Sequence, residues 1–363
     1  MTQLFESLEF AHGAAMKNRF MLSPLTNCQS HEDGRLSDDE LNWLDLRARG
    51  GFGLTMTCAS HVQVQGRGFA GQLGIFSDVH LDGLTRLAAA IKAHGSLAMV
   101  QLHHAGMRAP PSLIGTRPVC PSDDAETGAR ALTVAEVEQL AEDFIIAALR
   151  AERAGFDGVE IHGAHGYVLC QFLSAQINRR TDRYGGSLEN RSRVLFDVVT
   201  GIRARCRSGF VVGVRLSPER FGLKLAEIRT VAERLMSEGA IDLLDLSLWD
   251  VFKEPQEEEF RGRSLLSCFT DLDRGSVRLA AAGKIMGGPD AARCLENGAD
   301  IAVVGRGAIL HHDFPERVKA DPAFQAIKLP VTPDYLRREG LAPAFIEYMG
   351  NWKGFVETAA ERA

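Results

Sequence analysis

Residues 155–167 read GFDGVEIHGAHGY: a turn with glycine, a short apolar run, and then two histidines and a tyrosine. The preceding segment, residues 133–154, has the spacing of an amphipathic helix and opens with Thr133 followed three residues later by Glu136. A helix, a tight turn and a strand that ends in polar side chains make up one unit of a parallel α/β fold. The stretch therefore predicts a strand over 156–161 that leads directly into candidate functional residues.

Seven further runs of the same kind predict a parallel sheet of eight strands. Most are apolar without strict alternation, which is typical of strands buried on both faces. Helical patterns separate them, such as the one that Ser37 caps and Gly50-Gly51 ends. Eight such units without a central boundary favour one closed (β/α)8 barrel over an open doubly wound sheet. The predicted strands are 19–23, 52–60, 97–102, 156–161, 211–216, 241–246, 283–287 and 300–304.

The composition is that of a globular α/β protein with a large core. Its 363 residues are 45% hydrophobic and 24% charged, and the length fits one barrel of about 250 residues with insertions. The net charge of −6 gives no general attraction to nucleic acid or to an anionic membrane. Seven scattered cysteines without a Cys-x-x-Cys pair encode neither a disulfide framework nor a metal site. With an acidic N-terminal segment and no long apolar run, these features predict a cytoplasmic protein.

Two segments exceed a minimal barrel: residues 107–132 and residues 250–270. They follow the third and sixth predicted strands, so we expect them to form lids over the C-terminal mouth, where barrels carry their active sites.

The end of the chain is predicted to form a separate element. Residues 1–320 are expected to form the barrel and residues 321–363 a helical appendage, with helices around 333–340 and 344–360. Periodicity leaves open whether this appendage packs on the barrel or forms a contact in a homo-oligomer.

The polar end of the fourth predicted strand is the strongest candidate for chemistry. Strand alternation puts Glu160 and His162 on one face, and His162 then points into the barrel mouth. Two imidazoles three residues apart can bind a metal, hold a carbonyl oxygen or be satisfied core groups. A metal is the weaker interpretation, because no matching ligand cluster ends a neighbouring strand. His162 and His165 are suited to stabilise a developing enolate oxygen, and Tyr167 is suited to supply a proton.

Arg215 lies inside the apolar segment 211–217, where an unpaired guanidinium would cost several kcal/mol. It therefore needs an anionic or strongly accepting partner. An ion pair with Glu160 on the adjacent strand and contact with a bound ligand are both open, and the two can hold together.

Two glycine pieces follow the seventh and eighth predicted strands: Gly287-Gly288 and Gly305-Arg306. In barrels, the loops after these strands bind phosphate through backbone N–H groups, and an arginine adds positive charge. The two pieces together predict a phosphate site. Residues 66–71 match Gly-x-Gly-x-x-Gly but open no helix, so they do not indicate a dinucleotide-binding fold.

From about residue 4 to residue 315, these segments resemble the Old Yellow Enzyme family of FMN-dependent oxidoreductases. The most specific likeness is residues 155–167, continued by QFLS (171–174) and NRRTDRYGGSLENR (178–191). Supporting likenesses are KNRFMLSPLT (17–26), QLHHAG (101–106), VRLS (214–217) and the two glycine pieces. The resemblance implies FMN across the barrel mouth and NAD(P)H as the co-substrate that reduces it. It implies no separate dinucleotide domain and no metal.

The resemblance also implies roles for individual residues. His162 and His165 would bind the oxygen of an electron-poor alkene, and Tyr167 would protonate its α-carbon. A substrate pocket is expected at Cys28, Phe69 and Trp249. The implied flavin contacts are Ser23, Pro24, Leu25 and Thr26 at the reactive edge, Ala59 and Gln101 at the pyrimidine side, Arg215 at N1 and O2, and Gly287, Gly288, Gly305 and Arg306 at the phosphate.

The expected activity is ping-pong reduction of the activated C=C bond of an α,β-unsaturated carbonyl compound by NAD(P)H. The alternatives are a nitroester or quinone reductase that uses the same flavin, a flavin-binding protein without turnover, and, more remotely, a metal-dependent hydrolase or aldolase. Thr26 resembles one branch of the family and the pair His162 and His165 another, so the branch stays open. The tail around Tyr348 lacks the Arg-Gly-aromatic ending that reaches a neighbouring subunit's site in some relatives, so no shared active site is expected.

Overall fold

Eight parallel strands close into a barrel in the computed structural model, which describes residues 1–357. The barrel strands are β1 Phe20–Leu22, β2 Leu54–His61, β3 Leu97–His103, β6 Gly158–Gly163, β7 Val211–Leu216, β8 Leu243–Ser247, β9 Arg278–Ala282 and β10 Ile301–Val304. Two short strands, β4 Val119–Cys120 and β5 Arg130–Ala131, pair with each other outside it. The barrel strands pair in chain order, and β10 closes on β1. The predicted (β/α)8 architecture is therefore confirmed.

The helices surround the barrel and have the predicted caps. The Thr133 hydroxyl accepts the Glu136 N–H at 3.2 Å, and the Glu136 carboxylate accepts the Thr133 N–H at 2.8 Å, which completes a capping box. Ser37 caps the first helix by accepting the Glu40 N–H at 3.1 Å. The helices are α1 Asp38–Arg49, α2 Leu81–Ala93, α3 Pro111–Ile114, α4 Val134–Arg153, α5 Val168–Leu173, α6 Leu188–Arg205, α7 Leu225–Ser237, α8 Ser267–Thr270, α9 Gly288–Glu296, α10 Arg306–Leu310, α11 Phe314–Ala320, α12 Pro333–Arg338 and α13 Pro343–Gly350. None of the helices described is both long and apolar enough to cross a membrane.

The prediction for the seventh barrel strand was wrong. That strand is β9, and residues 283–287 form the loop after it. The β9 sequence RLAAA has weak intrinsic strand preference, but its pairing with β8 and β10 holds it extended. Gly283, with φ of +153°, starts the loop in a conformation that side-chain-bearing residues rarely adopt. The loop on this side of the mouth therefore begins at Gly283, five residues earlier than predicted.

The inside of the barrel has two layers of different chemistry. The barrel floor consists of apolar side chains, and an N-terminal turn bearing Leu8, Phe10 and Met16 closes it from below. Above the floor lies a polar layer formed by Gln101, Glu160, Arg215 and Asp245, each no more than 4% exposed. The floor residues are Met21, Leu54, Met56, Leu97, Met99, Val211, Leu243, Ile301 and Val303.

Both predicted insertions leave the C-terminal ends of barrel strands. Residues 107–132 follow β3 and contain α3 and the small sheet, and residues 250–270 follow β8 and contain α8. Lys253 pairs with Glu219 at 2.6 Å, so the second insertion is tied to the loop after β7.

The tail packs on the barrel's first helix. The Phe345 ring of α13 lies 4.8 Å from the Trp43 ring of α1, and the Ala342 N–H donates to Gln29 Oε1 at 2.9 Å. The tail therefore covers the segment that follows β1.

The helix predicted over 344–360 was too long. Helix α13 ends at Gly350, the next residues turn, and Val356 pairs with Val331 in an isolated bridge. The last three residues of that prediction lie outside the described residues.

Candidate active site

Two histidines at the end of β6 form one hydrogen-bonded array. The Ala164 N–H lies 3.2 Å from His162 Nδ1, and because an amide can only donate, that nitrogen accepts and Nε2 carries the proton. His162 Nε2 lies 3.3 Å from His165 Nδ1, and His165 Nε2 lies 2.6 Å from Ser247 Oγ. The consistent reading is a chain of donors that runs from His162 through His165 to Ser247.

Both imidazoles are neutral near physiological pH. Burial lowers the pKa of His165 to about 3, and burial together with the neighbouring His165 holds the pKa of His162 well below its usual range. His165 also has φ of +61°, a conformation that non-glycine residues adopt rarely and that concentrates at functional positions. The array can therefore donate hydrogen bonds to an oxygen without carrying positive charge.

Tyr167 lies against this array and under a cation. Its ring centroid is 4.4 Å from that of His103 and 5.1 Å from that of His162, both edge-on. The Arg108 guanidinium lies 4.7 Å over its face and donates to the His165 carbonyl at 2.5 Å. The first insertion thus holds the phenol from above while the barrel holds it from below.

Arg215 is paired with a residue that sequence reasoning missed. Of the two neighbouring carboxyl groups, Asp245 rather than Glu160 lies within ion-pair distance, with its Oδ2 3.1 Å from Arg215 Nε. The alignment is poor, and the buried Nε–H makes no hydrogen bond to any described residue. Nη2 donates to Ser23 Oγ at 3.3 Å, while Glu160 accepts from Gln101 Nε2 at 2.6 Å.

The opposite side of the mouth offers a cradle for a ligand. A Cβ built on Gly305 would find its nearest neighbours at 3.7 Å on Leu25 and 3.8 Å on Ser23, which are ordinary van der Waals distances, so nothing crowds this glycine. Arg306 is half-buried next to it. An unsatisfied guanidinium N–H on one side and an uncrowded glycine with an arginine on the other fit FMN, which carries an anionic phosphate and, when reduced, a negative charge on its ring.

The phosphate role predicted for Gly287 and Gly288 stays a prediction, and the structure gives it little room. The Gly288 N–H donates to the Phe324 carbonyl at 2.9 Å. A Cβ on Gly287 would meet that carbonyl oxygen at 2.5 Å and the Gln325 side chain at 2.6 Å. Gly283 follows β9 directly. The sequence prediction placed this glycine inside the strand and not in the loop.

The predicted pocket residues all lie in loops at the mouth. Cys28 has φ of +56° and is half-buried, and burial raises the pKa of its thiol to about 11, so the thiol is not activated. Trp249, with φ of +64°, is 54% exposed beneath the Arg220 guanidinium, 4.5 Å from its ring. Phe69 is half-buried. The predicted flavin contacts Pro24 and Thr26 are half-buried, and Ala59 accepts from Gln72 at 2.6 Å.

Tyr348 is a second tyrosine that sequence reasoning left out of the site. Burial raises the pKa of its phenol, which lies near Thr26, Cys28 and Tyr167. The tail therefore brings an aromatic hydroxyl of the same chain to the first loop of the mouth. The packing of α13 on α1, which places it there, has no local sequence signal.

Comparisons with known proteins identify the family of this chain. The family model described as "NADH:flavin oxidoreductase / NADH oxidase family" matches residues 3–324. The probable NADH-dependent flavin oxidoreductase YqiG of Bacillus subtilis is 37% identical over 327 residues, which cover 87% of each protein.

Solved structures give the same result. The old yellow enzyme homologue from Zymomonas mobilis has a TM-score of 0.78 at 27% identity, over 92% of this chain and 96% of that one. Morphinone reductase in complex with tetrahydroNAD has a TM-score of 0.76 at 29% identity, over 92% and 93%. The chain therefore belongs to the NADH:flavin oxidoreductase / NADH oxidase family, in which its structural neighbours are Old Yellow Enzymes, and it is an FMN-dependent NAD(P)H oxidoreductase.

Proposed function

We propose that this enzyme reduces the activated C=C bond of α,β-unsaturated carbonyl compounds with electrons from NAD(P)H. The observation that carries the proposal is the array of His162, His165 and Ser247 beside Tyr167. Two adjacent neutral imidazoles, with a phenol next to them, match the needs of an enone whose oxygen gains charge while its α-carbon gains a proton.

When bound, FMN would supply the hydride chemistry that links NAD(P)H to the β-carbon of the alkene. The proposed contacts of this chain with FMN are Ser23, Pro24, Leu25, Thr26, Ala59, Gln101, Arg215, Gly305 and Arg306, with Gly287 and Gly288 as predicted further contacts. The Arg215 guanidinium would meet the negative charge of the ring, and its unsatisfied Nε–H, described above, is suited to a ring heteroatom.

The histidines bind and polarise the substrate oxygen. His162 already carries its proton on Nε2, so it donates to a carbonyl oxygen that displaces the contact with His165. His165 donates through Nε2, which now bonds to the Ser247 hydroxyl. Each new bond strengthens as the oxygen becomes anionic, so the pair stabilises the transition state more than the bound enone.

Tyr167 supplies the proton. Its ring is held edge-on by His103 and His162 and face-on by Arg108, so the hydroxyl has a defined position beside the oxygen site. Cys28, Phe69 and Trp249 are proposed to shape the pocket around the rest of the alkene. Their partial exposure suits a substrate that enters from solvent.

An anaerobic two-step experiment tests this proposal. The yellow holoenzyme is reduced with NADPH until it bleaches, and then cyclohexenone is added. We expect the colour to return with cyclohexenone and not with cyclohexanone, which has the same carbonyl but no activated double bond. Recovery with a quinone or a nitroester but not with the enone would support the xenobiotic-reductase alternative instead. A protein that bleaches and recovers with none of them would be a flavin-binding protein.

A further inference from the structure

Strand register brings two buried carboxyl groups together beneath the proposed flavin position. Glu160 on β6 is level with Gly213 on β7, and Arg215 on β7 is level with Asp245 on β8. Gly213 has no side chain, so β7 contributes no side chain at the level of Glu160, and Arg215 lies two residues further along the strand. Both groups are fully buried.

If both groups were ionised, three of their four carboxyl oxygens would lack a hydrogen-bond donor. Gln101 donates to Glu160 Oε2, but Glu160 Oε1 and both Asp245 oxygens receive no hydrogen bond from any described residue. Two adjacent buried carboxylates with one cation between them would repel each other. A proton on Glu160 removes the repulsion and supplies the missing donor to Asp245.

We propose that Glu160 and Asp245 form a proton-sharing carboxyl pair, in which Asp245 positions Arg215 and Glu160 gains or loses the proton that balances the charge on the flavin. This proposal rests on the proposed function, since it takes FMN to lie beside Arg215. The two electrons come from NAD(P)H. When Glu160 is ionised, its carboxylate takes one proton from solvent and becomes a carboxylic acid.

The electrostatics of the layer agree with this geometry. Burial, followed by the neighbouring Asp245, raises the pKa of Glu160 to about 8, and the Arg215 charge opposes the rise. Burial raises the pKa of Asp245 as well, and the Arg215 charge opposes this rise too.

Apart from the carboxyl pair, the polar layer holds no carboxyl, imidazole, thiol or phenol group. Across from Glu160, β3 contributes the neutral amide of Gln101, β7 the Arg215 guanidinium and β8 Asp245. On the next level of β3 and β6, the pKa values of His103 and His162 are held well below their usual range, first by burial, so both rings stay neutral. A proton taken up near pH 8 in this layer therefore belongs to the carboxyl pair.

The sign of the effect follows from charge. Below about pH 8 Glu160 is protonated and the three-group cluster is neutral. Above about pH 8 the cluster carries one negative charge, which disfavours a further negative charge on the ring. Reduction then raises the pKa of Glu160 further, and between its two values each two-electron reduction takes up one additional proton.

A spectroelectrochemical titration of the holoenzyme tests the proposal. The midpoint potential of wild type, Glu160→Gln and Glu40→Gln is measured from about pH 6 to about pH 10. Above about pH 8 we expect the wild-type potential to fall more steeply by about 30 mV per pH unit, which is one proton per two electrons. Glu160→Gln, which mimics the protonated acid, should lose this additional slope. Glu40→Gln should keep it, because Glu40 is an equally buried carboxyl that bonds to Asn27 and Cys58 and is not part of the polar layer.

A measurement on the wild type alone covers the case in which a variant fails to fold or to hold FMN. Infrared difference spectra above about pH 8 should show a carboxylic acid C=O band that appears on reduction and shifts in D2O. Equal slopes in wild type and Glu160→Gln, or no such band, would overturn the proposal. Neither measurement uses an alkene, so its failure is distinguishable from a failure of the proposed ene-reduction.

Discussion

The barrel floor and the polar layer occupy the same cylinder and are equally buried, yet their chemistry is opposite. The floor is built of methionine and branched aliphatic side chains, which gain free energy from burial and leave no polar atom unsatisfied. The polar layer buries two acids and a guanidinium, and it leaves the Arg215 Nε–H and three carboxyl oxygens without hydrogen bonds. Unsatisfied buried groups destabilise a fold, so a protein retains them where they serve binding or catalysis.

Lowering the pH should produce the largest difference between the barrel floor and the mouth above it, because the floor contains no titratable group. Buried histidines that stay neutral in the fold stabilise it fully above about pH 6.5, and this stability is lost as the pH falls toward their lowered pKa values. The histidines with lowered pKa are His61, His80, His103, His104, His162, His165 and His311, against four carboxyls with raised pKa, Glu40, Glu160, Asp197 and Asp245, which act in the opposite direction.

The histidines outnumber these carboxyls, and each group contributes about 1.4 kcal/mol per pH unit. We therefore expect the free energy of unfolding to fall by several kcal/mol between about pH 6.5 and about pH 4.5, with FMN released before the far-UV signal is lost. Urea unfolding and flavin fluorescence at a series of pH values check this. A flat stability profile over that range would show that the mouth tolerates protonated histidines.

Tyr167→Phe should have the next largest effect and should act on one half of the cycle only. Removing a general acid slows the step that uses it by about 10²–10⁴-fold, while flavin reduction by NADPH needs no proton from this residue. Stopped-flow absorbance measures the two half-reactions separately. Tyr184→Phe is the matched control, because this tyrosine is also buried but interacts with Arg183 away from the mouth. Equal slowing of both half-reactions would remove the proposed role of Tyr167.

Met99→Ala tests the other side of the comparison. Met99 lies in the floor, two residues before Gln101 on β3, and is fully buried. Its truncation should lower the free energy of unfolding by about 2–5 kcal/mol, with little change in the flavin spectrum or the midpoint potential. Denaturant unfolding and absorbance check this. A floor substitution that shifted the potential as much as Glu160→Gln would show that the two layers are not separate.

The same contrast explains what could be predicted from sequence. Val211–Leu216 matches its prediction, and six other strands lie within a few residues of theirs, because apolar runs between helices are a local signal. The seventh strand was missed because three successive alanines in β9 have no strand signature of their own, and only their pairing with β8 and β10 shows what they are.

Sequence predicted the part of the candidate site whose residues are close together in the chain. It did not predict the residues that strand register or helix packing brings to the site. His162, His165 and Tyr167 share one stretch, so sequence alone brought them together. Asp245 became the partner of Arg215 because β8 pairs with β7 in that register, which no local pattern encodes. Tyr348 reaches the mouth only through the packing of α13, for the same reason.

His165→Ala should have the smallest effect of the four, and it tests whether the histidine array binds oxygen at all. Loss of one hydrogen bond to a phenolate, a mimic of the enolate, is worth about 1.5–3 kcal/mol, so the affinity for a para-substituted phenol should fall roughly tenfold to a hundredfold. The protein should remain yellow, because His165 is proposed to contact substrate and not FMN. His165→Asn should lose less, since asparagine tolerates the positive φ at this position and retains a donor. Absorbance titration of both variants at about pH 7 checks the ranking.

Because the His165 ring is neutral there, the ratio of affinities between wild type and His165→Ala should not change between about pH 6 and about pH 8. A ratio that rose toward acid would mean that the imidazole binds the oxygen as a cation, and then the array would belong electrostatically with Arg215 and not with the neutral donors described above.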